Sequence, residues 1–276
     1  MIRLLQIEGI KLWNSRSSRV LIIAYFCLLI SIALISVIKF DIGQIQIHLA
    51  DQGIFNFPFI WHFNTYVAAF FKLFLAIIIV SMISNEYSNK TIKQNLIDGL
   101  SKKEFIMSKF LTVIVFSAVS TAFVFIVSLL LGLAYSDYTE FSIVFSQLDY
   151  LIAFFVKLMG FFSFCMFLGM LIKKSAFALG FLILWQAFEG IIYGLLRWKT
   201  NANIADSVSN LLPLDAMSNL IKEPATRMSA VQSVASQLGE ELSKDYGVHW
   251  YEILIVLVWT FIFVYSSYLI LKKRDL

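Results

Sequence analysis

The chain has 276 residues, 59% of them hydrophobic and 14% charged, with a mean hydropathy of +0.81. This is far above soluble usage and excludes an ordinary water-soluble domain, and the length suits one membrane domain with no room for an ATPase domain beside it. The net charge of +4 reflects where the loops lie and gives no reason to expect a nucleic-acid partner, because the basic residues are placed between apolar runs.

Met1 to Arg19 is imperfectly amphipathic. Ile2, Leu5, Gly9, Leu12 and Trp13 share one face and Arg3, Lys11 and Asn14 fall roughly opposite, while Leu4, Ile7 and Ile10 blur the polar side. It reads as an interfacial helix with Trp13 at headgroup depth and Arg16 and Arg19 beside phosphates; a flexible basic tail is the alternative. No cleavable signal peptide is expected, since the first apolar run is long enough to remain as a span. That run, Val20 to Ile38, ends at Lys39 and Asp41. Asp41 to Asn64 reads as external. Ile45 to Leu49 alternates like a short strand, and the aromatics from Phe55 to Trp61 suit the interface.

Thr65 to Ser84 is the second span, and Asn85 to Lys109 is the polar interruption that follows it. Lys90, Lys93, Lys102, Lys103 and Lys109 there outnumber Glu86, Asp98 and Glu104, which puts the segment on the cytoplasmic side. Thr91-x-x-Gln94 can cap a short helix with Ile92, Leu96 and Leu100 in one stripe. Gly99 lies where such a helix stops, and Ser101 with Glu104 forms a second capping box that opens the next helix. Phe105 to Ala134 is the third span, followed by an acidic loop with Asp137 and Glu140.

Asp149 to Ile172 and Ser175 to Leu196 are the fourth and fifth spans, joined by the tight basic turn Lys173-Lys174. Arg197 to Trp250 is a polar external segment, with helical patterns over Asn201 to Leu212 and over Ser229 to Ser243. Tyr251 to Leu271 is the sixth span, closed by Lys272, Lys273 and Arg274. With both termini inside, fourteen of the 22 Lys and Arg residues fall in cytoplasmic segments. The expected fold is therefore an all-α integral membrane domain over 1–276, with spans at about 20–38, 65–84, 105–134, 149–172, 175–196 and 251–271.

A resemblance follows from the central segment. Glu86-Tyr87-Ser88-Asn89-Lys90-Thr91-Ile92-Lys93-Gln94, Gly99-Leu100-Ser101-Lys102-Lys103-Glu104-Phe105 and Lys109-Phe110-Leu111 resemble the ABC-2 type permeases, membrane subunits of ATP-binding-cassette exporters. That family carries here a pattern close to E-x-x-x-G-T-x-x-x-L, then Leu-Ser with a basic pair, then Gly/Ser-Lys. Lys90 stands where the family often has Gly, and Gly99 where Pro is common; a lysine can continue a helix, and a glycine can end one.

The resemblance implies that segment 85–104 is a coupling helix seated on an ATPase, with Glu86, Tyr87, Thr91, Ile92, Gln94, Asn95, Leu96, Gly99, Leu100 and Ser101 as the coupling residues. It implies a separate ATP-binding subunit, a second permease chain (homodimer or heterodimer) and a bacterial cytoplasmic membrane with its lipid. ATP and Mg would belong to the partner, with no cofactor and no catalysis in this chain. Leu211-Leu212-Pro213-Leu214 resembles the start of the family's outer gate. An ordinary basic loop is the other reading of segment 85–109.

Three ionisable residues lie seven or more residues in from the ends of their spans: Lys72, Lys157 and Glu189. All three sit roughly 10–12 Å below the outer surface at 1.5 Å per residue. A charge at that depth costs on the order of 2–3 kcal/mol or more unless paired or wetted. Glu189 is expected to pair with Lys157 or Lys72, as a structural lock or beside a substrate path; snorkelling lysines are the alternative. Gly190-x-x-x-Gly194 permits close helix approach. His48, His62 and His249 read as external and separated, and Cys27 and Cys165 lie in apolar runs, which speaks against a zinc or disulfide framework.

The expected function is outward transport of a hydrophobic or amphipathic substrate driven by the partner's ATP hydrolysis. A secondary transporter or channel would more often show an internal repeat and broken spans, and neither is legible in the sequence. An integral-membrane enzyme would need clustered polar groups within the spans; no P-loop, H-E-x-x-H or G-x-S-x-G occurs.

Overall fold

The fourth apolar run is hydrophobic on every side, and such a helix belongs inside a bundle. In the computed structural model this is the case: the helix Asp149–Ile172 is buried along most of its length, and the rest of the molecule packs around it. Residues 2–35, 40–42, 45–47, 53–228, 231, 232, 236 and 245–274 are described.

In chain order the helices are α1 (Ile2–Asn14), α2 (Arg16–Ile35), α3 (Phe59–Phe70), α4 (Lys72–Ser88), α5 (Thr91–Ile97), α6 (Lys102–Tyr135), α7 (Phe141–Val144), α8 (Asp149–Ile172), α9 (Ser175–Lys199), α10 (Ala202–Ser209), α11 (Pro213–Asn219) and α12 (Trp250–Lys273). Among the described residues one hairpin, β1 (Phe40–Ile42) with β2 (Ile45–Ile47), pairs antiparallel in the register Phe40 to Ile47. The central helix α8 contacts α3, α4, α6, α9 and α12. At Gly160 α12 packs tightly, since a Cβ there would stand 2.7 Å from Val256 Cγ1. A side chain at Gly160 would push the two spans apart.

Among the described residues five helices are long and apolar enough to cross a membrane, and α3 with α4 adds a sixth as one broken span bent by 45°. The chain is a multi-pass membrane protein. At about 1.5 Å per residue α6 is about 50 Å long, so it outruns the hydrocarbon core by several turns.

Several expectations change. Helix α1 ends at Asn14 and α2 starts at Arg16, so Arg16 and Arg19 form the first turn of a span instead of the tail of an interfacial helix. The second span begins at Phe59 and breaks at Phe71, where the hydrogen bonds shorten to three-residue turns (Phe71 N–H to Ala68, Phe74 N–H to Phe71). A broken span is thus present, although no proline or glycine marks it.

Phe55, Phe57, Ile60 and Trp61 are buried within the chain instead of resting in the interface. The Trp61 ring stacks on Phe125, and its Nε1–H donates to the Val144 carbonyl. Gly190 and Gly194 have open space where a Cβ would go, so this pair meets no helix among the described residues. Of the helix expected over Ser229 to Ser243, nearly all lies outside the described residues, as do Ser36 to Lys39, His48 and Leu49.

The segment between the fifth and sixth spans does not stand free of the bundle: α11 packs against α8, α9 and α12, and Leu214, Ala216, Met217, Leu220 and Ile221 are buried. Backbone buried in this way needs partners inside the protein for its polar groups.

Candidate functional site

The end of the bundle that carries α5 is held by side chains from five elements. Lys90 leaves α4 in the left-handed conformation (φ 56°), and α5 starts behind it without a side-chain cap; the Thr91 hydroxyl donates instead to the Glu86 carbonyl at 3.4 Å. The expected Thr91–Gln94 capping box therefore does not form. Lys90 does not continue a helix either: it takes a backbone geometry that glycine adopts without steric cost.

The end of α5 is a Schellman motif. Gly99 has φ 96°, its N–H reaches the Leu96 carbonyl at 3.2 Å, and the Leu100 N–H reaches the Asn95 carbonyl at 3.0 Å. Proline at 99 could not adopt that φ. The second capping box is present: Ser101 Oγ accepts from the Glu104 N–H at 3.2 Å, and Glu104 Oε2 accepts from the Ser101 N–H at 2.9 Å. A rigid, twice-terminated turn of helix is the result.

The apolar stripe of α5 faces the protein. Ile92 is 1% exposed, and Leu96 and Leu100 pack against the core. The surface offered outward is Lys93, Gln94, Ile97 and Asp98, with Asn95 half-buried at the edge and Ile97 75% exposed. Of the ten expected coupling residues, Glu86, Ile92, Leu96 and Leu100 thus act from beneath, and Gln94 and Asn95 lie at or near the surface.

Beneath α5 is a charged network that the sequence reading missed. Lys109 is 0% exposed and donates to Glu8 Oε2 at 2.6 Å and Glu86 Oε1 at 2.5 Å. Lys11 reaches the same Glu86 oxygen at 3.0 Å and Glu8 at 3.4 Å. Burial pulls the Lys11 pKa down, but the Glu86 and Glu8 carboxylates more than offset it and leave it raised. Two carboxylates and two ammonium groups therefore join α1, α4 and α6. The sequence carried one signal for it: Lys109 lies inside the expected third span, and Glu8 is the one acid in α1.

Tyr87 extends the assembly to the chain's other end. Its hydroxyl accepts from Arg274 Nη1 at 2.9 Å, and the same guanidinium donates to the Met170 carbonyl at 2.7 Å and the Leu171 carbonyl at 3.3 Å. Arg274 thereby caps the last turn of α8, and Lys102 in turn donates to the Arg274 carbonyl at 2.9 Å. A cavity of about 520 Å³ opens between α1 and the α5–α6 turn, lined by Arg3, Ile7, Glu8, Asp98 and Glu104 among others.

The intramembrane residues do not pair as expected. Glu189 is 1% exposed and accepts from Trp185 Nε1 at 2.6 Å, the Leu214 N–H at 3.2 Å and the Asp215 N–H at 2.9 Å. It caps the N-terminus of α11, behind Pro213. Lys157 donates to the Ser218 carbonyl at 3.1 Å near the other end of the same helix. An acid at the amino end and a base at the carboxyl end match the helix dipole, so the two residues bracket α11 instead of bonding to each other. Lys72 lies 4.3 Å from the Phe161 ring centroid.

His62 packs against the segment between the fifth and sixth spans. It is buried in α3, stacked on Tyr150 at 4.4 Å, with Nε2 donating to the Lys222 carbonyl at 2.7 Å and Nδ1 accepting from Arg227 at 3.1 Å. Among the described residues no group of His, Cys, Asp and Glu is arranged to hold a metal ion.

A search of curated proteins finds no match for this chain. The family model described as ABC-2 family transporter protein matches residues 12–276, which takes in α5, the network residues Glu86 and Lys109, and all the spans. The chain belongs to the ABC-2 transporter family, as one of its membrane components.

Proposed function

We propose that the chain is the permease of an ATP-driven exporter, with hydrolysis carried out by a separate ATP-binding subunit that binds ATP and Mg. Family membership implies an ATP-binding partner. What supports the seat of that partner is α5: its stripe is locked inward while Ile97 stands out at the tip, and the network beneath it reaches α1, α4 and α6. A push on α5 passes to three helices at once through short, buried contacts. Such a unit moves as a rigid body, which suits transmission of a closure beneath it to the spans above.

The same reading places α5 and both termini on the cytoplasmic face of a bacterial inner membrane, supported by the lysine and arginine excess at that end. It also includes a second permease chain. The exposed apolar faces of α2 and α9, including the open Gly190–Gly194 stretch, suit either that chain or lipid. The cargo is hydrophobic or amphipathic.

Co-purification from native membranes in mild detergent tests this. A P-loop ATPase should accompany the tagged chain and be lost on Ile97→Asp while the chain stays folded. A chain that purifies alone and transports without nucleotide would favour a secondary transporter, a reading to which the broken span between α3 and α4 lends its one point of support.

A further inference from the structure

A second cavity lies at the level of the broken span. It has a volume of about 560 Å³, and its polar wall is Lys72, Lys157, Gln186, Ser218 and Tyr66. The rest is apolar: Phe161 and Leu182 line it, and Phe70, Leu73 and Ile183, which also line it, are exposed on the outer surface of the bundle. The opening is therefore lateral, between α3–α4 and α9, and faces where acyl chains run.

The charge balance is one-sided. Neither lysine ion-pairs with a carboxylate among the described residues: Lys157 has the Ser218 carbonyl and Lys72 the Phe161 ring. The acids on neighbouring elements, Glu189 and Asp215, do not line the cavity. Glu189 is used by three donors, and Asp215 accepts from Ser209 and Gln186. Two ammonium groups at span depth without a counter-ion are costly, and an anion that enters from the membrane side removes that cost.

We propose that this cavity binds the anionic head group of an acyl-chain amphipath, entering sideways from the bilayer. The two lysines take the phosphodiester or carboxylate, Gln186 and Ser218 complete the polar end, and the chains lie along Phe70, Leu73 and Ile183. This deepens the transport reading by naming a cargo class, and it rests on that reading for the fate of the ligand though not for its binding.

The test is native mass spectrometry of the purified full-length chain with phosphatidylglycerol, with phosphatidylcholine of the same acyl chains, and with inorganic phosphate as competitor. Phosphatidylglycerol should be retained at least about tenfold better than phosphatidylcholine, and Lys72→Gln with Lys157→Gln should abolish the preference. Lys72→Arg should keep it. Gln186→Glu, which leaves both lysines and their packing in place, should weaken it severalfold. Equal retention of the two lipids, or an unchanged preference in the double glutamine variant, overturns the proposal. Displacement by inorganic phosphate alone at the lipid's concentration also overturns it, leaving a simple anion site. Preference without nucleotide-driven export would sink the transport reading and spare this site, whereas export with no preference would do the reverse.

Discussion

Lys109 shows how one buried charge can organise an end of a membrane bundle. It satisfies Glu8 and Glu86 together, so its removal leaves two buried carboxylates side by side with only the partly exposed Lys11 to offset them. Breaking a buried ionic group from one side typically costs about 3–5 kcal/mol, while neutral replacement of the whole group costs far less. Lys109→Met should therefore lower the detergent melting temperature sharply, and the triple variant with Glu8→Gln and Glu86→Gln should recover most of the loss. If the triple variant melts as low as the single one, packing around Lys109 and not charge is what matters there.

Lys90 gives a prediction of the opposite sign. Its left-handed backbone costs a non-glycine residue roughly 1–2 kcal/mol, so Lys90→Gly should stabilise the α4–α5 turn by about 1 kcal/mol, read as slower amide exchange over α5. Faster exchange would show that the lysine side chain contributes more than its backbone strain. Sequence alone placed Lys90 within a helix because nothing local forbids it; only the chain path between α4 and α5 demands a positive φ.

At the scale of elements, α11 depends on Glu189. Glu189→Ala leaves two backbone N–H groups and the Trp185 indole without an acceptor at span depth, a loss of about 2–4 kcal/mol. Glu189→Gln keeps one acceptor and should cost about 1 kcal/mol. Limited proteolysis of the segment between α9 and α12 reads both: rapid cleavage is expected in the alanine variant alone, and equal protection in both would mean that packing of Met217 and Ile221 holds α11 without a cap.

The spans were legible because apolar length is a strong signal: the bounds of α8 match to the residue, and those of α6, α9 and α12 lie within three of expectation. The Ser101–Glu104 cap and the Gly99 stop were legible too, since both are local chemistry. The break at Phe71, the packing of α11 against α8, α9 and α12 and the Glu8–Lys11–Glu86–Lys109 network were not. Each depends on partners distant in sequence, 101 residues in the case of Glu8 and Lys109. Glu189 and Lys157 lie within α9 and α8 as expected, but their partner was a backbone helix that no side-chain pairing rule suggests.

For the molecule as a whole, the central helix α8 sits between two unlike ends. One end carries the rigid, charge-locked platform of α1, α5 and the start of α6; the other carries α11, inserted among α8, α9 and α12. The central helix α8 is bonded to Arg274 at its last turn and to α11 through Lys157, and on the proposed reading this is the route by which movement of the platform would reach α11. On the proposed reading, an ATP-binding subunit seated on α5 would be the source of that movement. A photo-crosslinking amino acid at position 97, activated in native membranes, tests this most directly. One dominant adduct with a P-loop ATPase is expected, and none from the same probe at Trp198, at the opposite end of α9. Adducts at 97 with lipid alone, in membranes where the chain still transports, would contradict it.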